Sequence, residues 1–149
     1  MSVLASIRPD SWNFPLFIHV LGAMVLIGVA ATGAVAELVA TGTAEPARVR
    51  RFAFRTLLFA GVPAYIAMRG GAAWIYSKEF GDSSDDPTWI GIGFITAEGG
   101  GLLFLIALIL AGIASWKSKS GLGKAAGIIV GVCLVAWLVA VWAMGGKPG

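Results

Sequence analysis

Four long apolar runs, separated by short polar stretches, set the pattern of this chain. They occupy residues 14–39, 52–76, 89–116 and 125–144. Each is about as long as the ~20 mostly apolar residues a helix needs to cross a hydrocarbon layer of about 30 Å. The pattern predicts an all-α fold: a polytopic membrane protein whose four transmembrane helices form one antiparallel bundle with short loops, residues 1–149 making a single membrane domain. In the first run, Ala34-Val35-Ala36 is similar to a small-residue signal-peptidase site. An apolar stretch of about 20 residues nevertheless exceeds the ~7–15 of a signal segment, so the run reads as a true transmembrane helix. Pro63, near the middle of the second run, removes one backbone hydrogen bond and predicts a kink there.

Composition sharpens this picture. Hydrophobic residues make up 58% of the 149 positions and charged ones only 13%, against about a quarter charged in soluble domains. The net charge of +3 is small. It gathers in the first and third loops, around Arg48, Arg50 and Arg51 and around Lys117, Lys119 and Lys124, whereas Glu79, Asp82, Asp85 and Asp86 make the second loop acidic. This is a topology signal and excludes a nucleic-acid partner. It predicts the odd loops in the cytoplasm and both termini outside. The lone Cys133 cannot make an internal disulfide and reads as a small buried apolar residue.

Charge inside the apolar runs is the feature that calls for chemistry. Glu98, followed by three glycines, lies within the third run, Arg69-Gly70-Gly71 within the second, and His19, the only histidine, within the first. An ionisable side chain at such depth costs roughly 2.5–3.5 kcal/mol and marks a functional site by default. Taking Trp12, Tyr76 and Trp89 as the outer boundary, at about 1.5 Å per residue, places His19 and Arg69 roughly 10 Å deep and Glu98 roughly 13 Å deep. These three, with Tyr65 on the stripe of Arg69, form the expected ligand-binding cluster for a small ligand, ion or proton. The competing reading is an ion pair that only neutralises two charges. His19 and Glu37 lie 18 residues apart, about five turns at 3.6 residues per turn, so they share a face. Small residues on that face favour close helix packing. Glu37 near the cytoplasmic boundary is expected to pair with Arg55 as a structural ion pair.

His19 is also the candidate metal ligand. Haem b needs axial donors, for which Met24, Met68 and Met144 are the available complements, and the same thioethers suit copper. No Ser-His-Asp order, HExxH, P-loop or zinc spacing is present, so hydrolytic and phosphoryl-transfer enzymes find no support. Small-residue faces beyond what a minimal bundle needs predict a homo-oligomer or a subunit of a larger membrane complex.

The segment Phe17-Ile18-His19-Val20-Leu21-Gly22-Ala23-Met24 and the closing Trp142-Ala143-Met144-Gly145-Gly146-Lys147-Pro148 together resemble a bacterial family of predicted four-helix integral membrane proteins of unknown function. That resemblance implies the fold and a role for His19. The first segment alone is distantly similar to CopD-like copper-resistance membrane domains, which would imply copper handling at His19.

Overall fold

The structure is a computed structural model, and it describes residues 10–79, 81 and 88–146. Asp82, Asp85 and Asp86 of the acidic loop, and Lys147-Pro148 of the closing segment, lie outside the described residues. Among the described residues the chain is helical throughout, with no strand. Helix α1 spans Asn13–Val39, α2 Pro46–Thr56, α3 Val62–Glu79, α4 Thr88–Lys117 and α5 Ser120–Gly146. α2 and α3 are joined through a π-helical turn, Leu57–Gly61, so four helical rods result.

Three of these rods are long and apolar enough to cross a membrane: Asp10–Gly42, Thr88–Lys117 and Ser120–Gly146. The rod formed by α2 and α3 is not among them, and it carries Arg48, Arg50, Arg51, Arg55, Arg69 and Lys78. Its helix also begins earlier than expected. Pro46 occupies the first turn, where its missing N–H costs nothing, so the basic cluster assigned to a loop lies on α2. The last turn is shorter than expected as well. Only Ser118 and Lys119 separate α4 from α5, which forces the two to run antiparallel.

The expected disturbance at Pro63 takes the form of a π turn just before it. The Val62 N–H donates to the Leu57 carbonyl, five residues back. A widened turn at this point accommodates the N–H that Pro63 lacks. It also inserts one residue into the helical register, which matters for the partner of Glu37 below.

α1 is the central rod, packed against α3 on one side and α5 on another, while α4 and α5 form the most extensive pair. The core is built from Leu26, Ala30, Leu57, Phe104, Ala107, Val130, Cys133 and Trp137. Cys133 is fully buried, as expected for a small apolar residue, and its thiol donates to the Gly100 carbonyl at 3.4 Å. α3 and α4, by contrast, have little direct backbone packing.

Candidate functional site

α1 and α3 cross backbone to backbone because glycine stands at the crossing on both sides. A Cβ on Gly71 would lie 2.7 Å from the His19 backbone nitrogen, and one on Gly22 would lie 2.5 Å from that of Met68. This approach lets the His19 ring reach α3, where its Nδ1 lies 2.8 Å from the Met68 carbonyl oxygen. A carbonyl can only accept, so Nδ1 carries the hydrogen and donates. In the neutral ring Nε2 is then left with its lone pair.

The gap between α3 and α4 is bridged by side chains at the same level. Arg69 donates to Glu98 through Nε at 2.7 Å, and its Nη2 lies 2.6 Å from the same oxygen, Oε1. The Arg69 guanidinium also lies over the Phe94 ring, 5.0 Å from its centre, a favourable cation–π geometry. One turn deeper, the Tyr65 hydroxyl donates to the Ala97 carbonyl at 3.1 Å. The glycines after Glu98 make room for these contacts: Tyr65 packs against Gly101 and Trp137 against Gly100. Toward the C-terminal end of α3, Tyr76 meets Phe94 edge to face, with ring centres 5.3 Å apart.

Behind this bridge lies a cavity of about 460 Å³, lined by residues of α1, α3, α4 and α5. His19, Arg69 and Glu79 supply charge-bearing or titratable groups to a wall otherwise dominated by aromatic, aliphatic and Met side chains, with Phe94, Tyr76 and Trp89 among them. Its volume falls in the range of about 300–1,000 Å³ typical of small-molecule sites. A second, smaller cavity of about 40 Å³ adjoins His19, Met68, Met144 and Trp137. The expected cluster of His19, Arg69, Glu98 and Tyr65 is therefore assembled in part. Arg69 and Glu98 are bonded to each other, Tyr65 bonds the backbone beside Glu98, and His19 faces the cavity that Arg69 also lines. Glu98 is the more exposed of the two paired side chains, at 59% against 28% for Arg69, which puts the pair at the mouth and not in the interior.

The expected pair of Glu37 and Arg55 is corrected. Arg55 is exposed, and the partner of Glu37 is Arg50, whose Nε lies 4.0 Å from Glu37 Oε2. Both are buried, and neither carboxylate oxygen of Glu37 nor Nε of Arg50 has a hydrogen-bond partner. Straight helical counting puts Arg51 and Arg55 on the stripe of Arg69. The extra residue of the π turn moves that register by one and swings Arg50 inward. Gly123 of α5 faces the pair, where a Cβ would lie 2.6 Å from Glu37 Oε2. The sequence carries no further signal for Arg50 than its place in the basic cluster. Nor does the apolar pattern single out Trp137, whose buried Nε1 also lacks a hydrogen-bond partner.

For a soft monovalent copper ion the donors fit: one imidazole nitrogen with a free lone pair and two thioethers line the small cavity together. Haem fits less well, since one imidazole is all the ring-nitrogen ligation the chain offers. No cluster of three or more His, Cys, Asp or Glu occurs among the described residues. Compared with known proteins, the chain matches no family model, no curated protein and no solved structure.

Proposed function

We propose that this chain is a non-enzymatic integral membrane protein of four antiparallel spans that holds a small ligand in the cavity between its helices, in the outer half of the bilayer. The rod of α2 and α3 supplies the fourth span, because it packs along α1 and carries Arg69 paired rather than bare. Charge placement supports both ends outside in a bacterial inner membrane. The observation that carries the reading is the roughly 460 Å³ cavity, mostly apolar, with His19, Arg69 and Glu79 as its titratable or charge-bearing groups beside the polar tips of Tyr76 and Trp89. A structural clasp between Arg69 and Glu98 would need no such space behind it. At Gly28, Gly99 and Gly131 an added Cβ would meet nothing within 4 Å, and these open small-residue positions support the expected homo-oligomer or larger complex.

The test is native mass spectrometry of the protein released from nanodiscs. A co-purified small molecule is expected, lost in Ala97→Phe, which fills the cavity, and depleted in Arg69→Met and Glu98→Gln. Absence of any adduct, with the two charge variants only lowering thermal stability, would reduce the site to a clasp.

A second reading is copper handling, favoured by the shared lining of the small cavity by His19, Met68 and Met144. Stoichiometric copper on metal analysis, lost in His19→Ala, would establish it. An absorbance spectrum of the oxidised and reduced protein checks haem on the same sample.

A further inference from the structure

We infer that the ligand of the large cavity is an uncharged phenol or quinol-type ring with an apolar tail, entering sideways from the outer leaflet between α3 and α4; this rests on the ligand-binding reading above.

The head group follows from the polar atoms available. The Met68 carbonyl fixes the hydrogen of His19 on Nδ1, leaving Nε2 as an acceptor in a wall whose other polar side chains are those of Arg69, Tyr76, Glu79 and Trp89. An acceptor there is matched by a hydroxyl donor. Charge excludes the ionic alternatives. Arg69 is already neutralised by Glu98, and Glu79 adds a further acid at the mouth, so a carboxylate or phosphate meets no unmatched cation among the described lining residues. A cation would find the one carboxylate among the described lining residues, Glu79, only at the mouth, and beside His19 it would face the Arg69 guanidinium with no anion to replace its hydration. An uncharged donor is what remains. The aromatic lining by Phe94, Tyr76 and Trp89 favours a ring over an alkyl alcohol, since aromatic pairs gain beyond their buried area.

The route follows from the packing. α3 and α4 touch mainly through side chains: the Arg69–Glu98 pair, the Tyr65 to Ala97 bond and the Tyr76–Phe94 edge contact. Among the described residues the other helix pairs around the cavity pack closely, α1 with α3, α1 with α5 and α4 with α5. The side where helices are joined by movable side chains is the side through which an apolar molecule dissolved in the bilayer can pass.

The test uses 4-nonylphenol and its methyl ether, 4-nonylanisole, added to the full chain in nanodiscs, with the midpoint of thermal unfolding as readout, because a ligand that binds the folded state raises it. Nonylphenol is expected to raise the midpoint by several degrees and nonylanisole to leave it within one, in keeping with about 2–4 °C per kcal/mol for a chain of this size. His19→Leu keeps an apolar side chain against α3 but has no hydrogen-bond acceptor, and it should abolish the phenol shift. Ala97→Phe should abolish it by filling the cavity. Equal shifts from the two compounds, or a phenol shift retained in His19→Leu, would overturn the hydroxyl assignment. No shift from either compound, with the co-purified molecule still displaced by Ala97→Phe, would overturn the ligand class and leave the binding reading standing. No shift and no co-purified molecule would overturn both.

Discussion

His19 Nδ1 and the Met68 carbonyl oxygen meet at 2.8 Å across a backbone-to-backbone crossing of α1 and α3. The bond exists because Gly22 and Gly71 bring the two helices within reach. A Cβ at Gly71 would collide with the backbone of His19, which cannot step aside as a flexible side chain could. Gly71→Val is therefore expected to destabilise the fold by at least the ~1–3 kcal/mol of ordinary overpacking and to detach His19 from α3. Gly70, with nothing within 4 Å, is the control. Gly70→Ala should be neutral or stabilising by up to ~1 kcal/mol, since alanine is the better helix former. Thermal unfolding of both variants in nanodiscs checks the pair.

Glu37 and Arg50 give a sharper expectation, because each is buried and neither has another partner. Replacing one alone leaves the other as an uncompensated buried charge, a loss of about 3–5 kcal/mol in comparable pairs. Arg50→Met and Glu37→Leu singly should each fall in that range, and the double variant should be more stable than either. Arg55→Met should leave the unfolding midpoint unchanged, because Arg55 is exposed. A double-variant cycle measured by unfolding would contradict the assignment if the two changes simply added.

The turn between α4 and α5 carries a local strain. Ser118 has φ of 52°, a left-handed conformation that glycine adopts without its steric cost. Ser118→Gly is expected to stabilise the protein by roughly 1 kcal/mol. An unchanged or lowered unfolding midpoint would show that the serine is not strained there.

How far the sequence alone reaches can be seen at Arg69 and at Arg50. Arg69, Glu98 and Tyr65 are readable because a charge within an apolar run is conspicuous and regular helical counting holds from Tyr65 to Arg69 and along α4. Arg50 is not, because its inward turn depends on the π turn at 57–61, and Pro63 announces a disturbance without specifying its form or the register shift it leaves. Helix number and type follow from the apolar runs, whereas helix ends do not. Pro46 begins α2 inside what composition marks as a loop, since helices continue into water wherever caps and backbone bonds allow. The cavity is likewise invisible in sequence: it arises from which helix pairs pack closely and which are left bridged.

Orientation can be checked at the α4–α5 turn. Lys119 is exposed there, between two antiparallel helices. In a Cys133→Ala background, Lys119→Cys should react with a membrane-impermeant maleimide only after the membrane is opened, if the basic turn faces the cytoplasm. Labelling of intact cells would invert the proposed topology.

The Arg69–Glu98 bridge makes the last expectation. In water a pair this exposed would contribute about 0–1 kcal/mol. Here it joins two helices that otherwise have little backbone packing between them, so its loss is a loss of that wall. Arg69→Glu alone and Glu98→Arg alone each place like charges face to face and should lower the unfolding midpoint. The exchange of both restores opposite charges but moves the cation to α4, off the position from which Arg69 covers the Phe94 ring on that same helix. Recovery should therefore be partial, falling short by about the 0.5–2 kcal/mol of a cation–π contact. Full recovery in the exchanged protein would mean that the ring contributes nothing, and no recovery would mean that the two charges do not act as a pair.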